Sequence, residues 1–209
     1  MLSARSVAVG HGRTPLLSGV DLDVGPGEIV GLVGPSGGGK TSLARVLAGL
    51  DKPLEGEVRV DGRVAMLFQS PRRSVDPRLT LRRSIEICAT ESGVDWERLC
   101  TKADLPLGLL DRYPRQVSDG QLQRAAIARA LAGEPRYLLC DEMTAALDPV
   151  TTAAVVTTVR RAADEDGAGV LFISHDLPLV GACSDRVLEI QGTRVAPSTA
   201  LSTRKATRS

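Results

Sequence analysis

Gly34-Pro35-Ser36-Gly37-Gly38-Gly39-Lys40-Thr41 is the stretch that decides how this chain folds. It fits G-x-x-x-x-G-K-[ST], a phosphate-binding loop, and it stands between the two elements that such a loop needs. The apolar run Ile29-Val30-Gly31-Leu32-Val33 precedes it and reads as a buried strand. Leu43, Val46, Leu47 and Leu50 follow at helical spacing. The glycines let backbone N–H groups turn inward around a polyphosphate, and the helix N-terminus adds a partial positive charge. Lys40 would reach the β- and γ-phosphates, and the Thr41 hydroxyl would ligate Mg²⁺.

Working outward, residues 5–34 read as strands joined by Gly-rich turns such as Gly25-Pro26-Gly27. Residues 56–62 read as a short alternating strand, and Val64-Ala65-Met66-Leu67-Phe68 as a buried strand ending at Gln69. From about 70 to 133 the strand signal disappears. That stretch is Arg-rich, broken by prolines and helical in pattern, and reads as a helical insert. Buried strands return at Tyr137-Leu138-Leu139-Cys140 and Val170-Leu171-Phe172-Ile173, with a helix over roughly 150–165 between them. That β-α-β order predicts a parallel sheet. Residues 185–196 read as a last hairpin. The Ser/Thr/Arg/Lys-rich tail 197–209 has no apolar periodicity and is expected to be disordered. The expectation is one domain over residues 1–196.

Composition narrows the function classes. The chain has 209 residues, and 43% are hydrophobic, enough for a sizeable core. A net charge of +1 gives no general attraction to nucleic acid, and 2% aromatics argues against base-stacking platforms. No apolar run approaches a membrane span, and the first six residues lack the apolar core of a signal peptide, so a cytosolic protein is expected. Cys88, Cys100, Cys140 and Cys183 are scattered, and His11 and His175 are far apart, so neither a zinc site nor a disulfide framework is indicated. Cys140 reads as a small buried hydrophobe.

Further along, the strand at Tyr137 ends in Asp141-Glu142. Beside a phosphate-binding loop an acid there can hold Mg²⁺, and its neighbour can deprotonate an attacking water. The same pair is also what a solvated acidic loop would look like. Ser118-Asp119-Gly120-Gln121 opens an Ala-rich helix, Leu122 to Ala132, with a capping-box pattern. It reads either as a helix start alone or as a helix N-terminus that meets a phosphate. Ser174-His175-Asp176 after a buried strand is equally a polar strand end or a site.

Taken together, these segments resemble the ATP-binding subunits of ABC transporters. The resemblance rests on the phosphate loop, Gln69, Val117-Ser118-Asp119-Gly120-Gln121, Tyr137 to Glu142, Ala146-Leu147-Asp148 and Ser174-His175-Asp176, in that order and spacing over about residues 5–196. It implies the ABC ATPase fold: an α/β P-loop core with a mostly parallel sheet, an N-terminal antiparallel β-subdomain and the helical insert. Phe68-Gln69-Ser70-Pro71, Ser74-Val75-Asp76-Pro77-Arg78-Leu79-Thr80, Tyr113-Pro114, His175-Asp176-Leu177 and Ser184-Asp185-Arg186-Val187 resemble the peptide/nickel importer branch.

The resemblance implies roles. Gly34, Ser36, Gly37, Gly38, Gly39, Lys40, Thr41 and Ser42 would bind the phosphates of ATP. Thr41, Gln69 and Asp141 would bind Mg²⁺, and Gln69 would begin the segment that senses a membrane permease. Ser118, Gly120 and Gln121 would meet the γ-phosphate of ATP on an opposite subunit. Glu142 would be the base, His175 the γ-phosphate switch and Asp148 part of the dimer interface. His11 stands where the adenine-stacking aromatic, usually Tyr, is expected. The implied partners are permease subunits and a second ATPase subunit, with a heterodimer favoured over a homodimer and no nucleic acid. The implied location is the cytoplasmic face of a membrane.

Departures from the pattern matter. The signature usually reads L-S-G-G-Q; Val117 and Asp119 replace the Leu and the first Gly. A carboxylate beside a γ-phosphate should repel it, which is the reason for expecting a second, different subunit. Met143 stands where Pro usually follows the Glu. Peptide-type importers often carry a C-terminal extension, and the short stretch after the last strand makes a peptide substrate less secure. Two other readings stand beside the importer subunit. One is a soluble ABC ATPase acting on nucleic acid or ribosomes, which usually has two ATPase halves or a long coiled coil. The other is a weakly active nucleotide-binding regulatory subunit.

Overall fold

The computed structural model describes residues 1–198 apart from Arg13, Glu91, Ser92 and Ala146, and does not describe the side chains of His11 and Arg73. Strands β1 (Leu2–His11) and β2 (Thr14–Val24) form an antiparallel pair, followed by β3 (Ile29–Val33) and helix α1 (Lys40–Leu47). Next come β4 (Glu55–Arg59) and β5 (Val64–Leu67). Between β5 and β6 (Tyr137–Asp141) every described element is helical: a 3-10 turn Pro71–Ser74, α2 (Leu81–Glu86), α3 (Trp96–Lys102), two further 3-10 turns and α4 (Asp119–Ala132). The chain closes with α5 (Pro149–Asp164), β7 (Gly169–Ile173), α6 (Leu177–Cys183), β8 (Arg186–Gln191) and β9 (Arg194–Pro197).

Two sheets result. The order β2-β1-β4 is antiparallel, and the order β5-β6-β7-β3-β8-β9 is parallel except for the last pair. Alternation along each central strand divides its side chains between two cores. Leu138 and Cys140 of β6, with Val170 and Phe172 of β7, face α4, α5 and the helical insert. Tyr137 and Leu139, with Leu171 and Ile173, face α1 and the antiparallel sheet. Both faces are covered, which is why β3, β6 and β7 read as unbroken apolar runs. Cys140 sits fully buried among these groups, and burial pushes its thiol far above the ordinary range.

Several sequence expectations change. The helix after the phosphate loop stops at Leu47, so Leu50 is 52% exposed rather than part of an apolar face. Gly49, with a positive φ of 71°, supplies the left-handed residue that ends such a helix. The strand 64–68 is an edge strand, half-buried along most of its length. The last hairpin extends through Pro197, and Ser198 N–H donates to the Val187 carbonyl at 2.9 Å. Residues 199–209 of the expected disordered tail lie outside the described residues.

Candidate functional site

Three neighbouring parallel strands, β6, β7 and β3, end on the same side of the sheet, and the expected chemistry gathers there. From β3 the chain turns through Gly34–Gly39 into α1. Gly39 holds φ at 93°, and a Cβ there would come within 3.0 Å of Leu17 Cγ, so both backbone and space ask for glycine. No side chain caps α1, which leaves its first N–H groups available to an anion. Lys40 is 4% exposed; its ammonium donates to the Gly34 and Pro35 carbonyls at 2.9 Å each.

At the end of β6, Asp141 accepts a hydrogen bond from Thr41 Oγ1 at 3.1 Å. The loop that follows β3 is thereby tied to the carboxylate 100 residues later. Burial pushes the Asp141 carboxyl above its ordinary value, with the Glu142 charge adding to the rise; the Thr41 bond and Lys40 act the other way. Glu142 comes next, at a positive φ of 48°. That left-handed backbone costs a residue with a side chain about 1–2 kcal/mol. Its N–H donates to the Ile173 carbonyl at 3.0 Å, which fixes the turn against the end of β7. One Glu142 oxygen lies 3.5 Å from the Lys40 ammonium and the other 3.7 Å from His175 Nδ1.

His175 is exposed, but its backbone neighbours are held. Ser174 Oγ accepts from Asp176 N–H at 3.1 Å, and Asp176 caps α6 by accepting from Leu179 N–H at 3.0 Å. A cleft of about 450 Å³ is lined by Ser36, Gly37, Gly39, Lys40, Thr41, Ser42 and Glu142, together with Val9, Gly10, Leu16, Arg45, Val46, Asp51 and Lys52.

The structure therefore brings the phosphate loop, Asp141, Glu142 and His175 together. Gln69, Ser118, Gly120 and Gln121 are not among the residues that line the cleft, but Gln69 follows β5, whose Leu67 pairs with Cys140 on the strand that ends in Asp141. Gln69 is exposed after β5. Ser118 and Gln121 form the full capping box at the start of α4: Ser118 Oγ accepts from Gln121 N–H at 3.2 Å, and Gln121 Oε1 accepts from Ser118 N–H at 2.9 Å. Ser118 is exposed at the surface and Gln121 is half-buried. Asp148 caps α5, accepting from the Val150 and Thr151 N–H groups at 3.0 Å each, and the bond from the Thr151 hydroxyl, together with these backbone bonds, holds its carboxyl below the ordinary range. The expectation for His11 concerns a side chain outside the described residues, and Ala146 lies outside them too.

Sequence reasoning missed two things. Arg45, Asp51 and Lys52 line the cleft, and nothing in their local pattern announces it. Asp119 is held by Arg72, whose Nη2 donates to Asp119 Oδ1 at 2.8 Å across 47 residues of sequence. No spacing rule reaches across such a separation.

For a cation, the donor set is hydroxyl and carboxylate oxygen, the hard ligands that suit Mg²⁺. Among the described residues no three His, Cys, Asp or Glu side chains gather as a metal site. A cation beside Thr41 and Asp141 would therefore share its coordination with the phosphates of a ligand, as Mg²⁺ commonly does.

Comparison with known proteins agrees with this geometry. The chain is 36% identical over 203 residues to the aliphatic sulfonates import ATP-binding protein SsuB of Granulibacter bethesdensis, covering 97% of this chain and 84% of that one. It is 37% identical over 209 residues to the methionine import ATP-binding protein MetN of Rhizobium etli, where the match covers 88% of this chain and 56% of the relative's length. The fold matches the dimeric, post-hydrolysis structure of the ATP-binding cassette MJ0796 bound to ADP and Pi, with a TM-score of 0.81, 28% identity, and 93% and 96% of the two chains covered. The family model for ABC transporters matches residues 17–145, from β2 through the phosphate loop to just past Glu142. On that match and the SsuB relative, the chain belongs to the ABC transporter family.

Proposed function

We propose that this chain is the ATP-binding and hydrolysing subunit that powers an ABC importer. The observation that carries the reading is the convergence of Lys40, Thr41, Asp141 and Glu142 at the ends of β3 and β6, with His175 at the end of β7. Lys40 and the first N–H groups of α1 would bind the β- and γ-phosphates. Glu142 would take the proton from the attacking water, and His175, within 3.7 Å of it, would respond to the γ-phosphate. Thr41 and Asp141 would hold Mg²⁺, with Gln69 as a third donor, and the ion would neutralise phosphate charge.

Two cassettes would face each other, each offering Ser118 and Gly120 to the nucleotide of the other. The case for two different subunits rests on the charge of Asp119 beside a γ-phosphate, and the Arg72 ion pair weakens it; the partner is a second copy or a related subunit. Among the described residues no helix is long and apolar enough to cross a membrane, so attachment to the cytoplasmic face would run through a permease. The names of the relatives support a small polar organic solute as the imported class. A peptide or nickel solute is the second reading, favoured by the segments Phe68–Pro71 and Ser74–Thr80.

The test is steady-state phosphate release from ATP by wild type and Lys40→Ala, alone and with the co-purified permease. Mg²⁺-dependent hydrolysis lost in the variant is expected. Equal rates in the two proteins would sink the reading.

A further inference from the structure

Asp119 departs most from the signature pattern, and it is not a free charge. Its carboxylate accepts from Arg72 at 2.8 Å, and Arg72 lies in the 3-10 turn Pro71–Ser74, three residues after Gln69. That turn packs against α4, whose first residue is Asp119. Gln123 lies one helical turn further on the same face of α4. It is 1% exposed, yet neither of its amide atoms has a hydrogen-bond partner, and the buried Ser74 hydroxyl of the 3-10 turn has none either. Of these polar groups, the Arg72–Asp119 pair is matched while Gln123 and Ser74 are not.

We propose that Arg72 is a positioning residue for the signature segment. It neutralises the carboxylate beside Ser118 and Gly120, and it pins the segment after Gln69 to the start of α4. The proposal rests on the ATPase reading above. An unpaired carboxylate there would repel an incoming γ-phosphate. In the separate subunit both partners are more than half exposed and water screens the pair, so it contributes little. When an opposing subunit covers the segment, that screening falls and the charge balance decides whether the phosphate is accepted. The pair also gives the Gln69 segment a direct mechanical link to the residues that would meet the other subunit's nucleotide.

The experiment compares wild type, Arg72→Ala, Arg72→Lys, Asp119→Asn and the double variant Arg72→Ala/Asp119→Asn. Steady-state ATPase is measured with the permease, and thermal unfolding without nucleotide. Arg72→Ala should lose about tenfold in kcat, the middle of the range for groups in direct contact. Arg72→Lys should keep most of the rate, and the double variant should return to within about twofold of wild type. A double variant as slow as Arg72→Ala, or an Arg72→Ala variant as fast as wild type, overturns the proposal. If wild type shows no Lys40-dependent hydrolysis, the ATPase reading fails and so does the phosphate role of Arg72. Because the exposed pair contributes little to the separate subunit, every variant should melt close to wild type, and a large loss of melting temperature in Arg72→Ala would overturn the positioning role in favour of a structural one.

Discussion

The Glu142 carboxylate bridges Lys40 and His175, with one oxygen 3.5 Å from the ammonium and the other 3.7 Å from the imidazole Nδ1. A single side chain thus joins the group that would hold the phosphates to the group that would sense them. Glu142→Gln preserves shape and removes the proposed base. ATP hydrolysis should fall about 10²–10⁴-fold while ATP binding persists, and an ATP-bound dimer should accumulate. Hydrolysis within threefold of wild type would remove Glu142 from the role of base.

Asp141 gives a prediction about stability. Its carboxyl is raised by burial, so the folded chain holds that proton more tightly than the unfolded chain does. Stability from this group is therefore full below its unfolded pKa and is lost as pH rises through the folded value. At neutral pH the ionised group is a burden on the nucleotide-free fold. Asp141→Asn, which can still accept from Thr41, should raise the melting temperature at pH 7 by a few degrees and flatten its dependence on pH in the acid range. A change of 1 kcal/mol is worth about 2–4 °C in a domain of this size. The same variant should lose Mg²⁺-dependent turnover. A lower melting temperature at pH 7 would contradict the argument.

Ser118 has a structural duty, capping α4, and a proposed duty toward a neighbour's nucleotide. Ser118→Ala should cost about 1 kcal/mol of stability through loss of the cap. Ser118→Asn keeps a capping side chain, so its melting temperature should stay near wild type while turnover still falls. If Ser118→Asn retains full turnover, the cap is the whole role of this residue.

His11 follows Val9 and Gly10, which line the cleft. If its ring stacks on adenine, His11→Ala should weaken ATP binding by about 1–3 kcal/mol, and His11→Tyr should strengthen it. Titration calorimetry with ATP separates these outcomes. Unchanged affinity in both variants would assign adenine to another wall of the cleft.

What could be read from the sequence was local. The three inner strands β3, β6 and β7 each carry their own apolar signature because both their faces are buried, so they stand out. Phosphate loop, carboxylate pair and capping box are each written within eight residues. The helix end at Leu47 was also legible, since Gly49 is a stop signal that the spacing of Leu50 overrode. Other features are long-range. That β3 inserts between β7 and β8, and β4 pairs with β1, depends on which edges remain free once the sheets form. The Arg72–Asp119 pair depends on how the 3-10 turn docks on α4, and two exposed charges far apart in sequence give no sign of meeting.

The left-handed backbone at Glu142 has a practical consequence for directed evolution. Glycine or asparagine would relax that turn, whereas the carboxylate works against it. If Glu142 is the base, a library sorted only for heat resistance would therefore enrich Gly or Asn at position 142 and hand back sturdy proteins without ATP turnover. Selection on this scaffold has to score hydrolysis and thermal endurance in the same round.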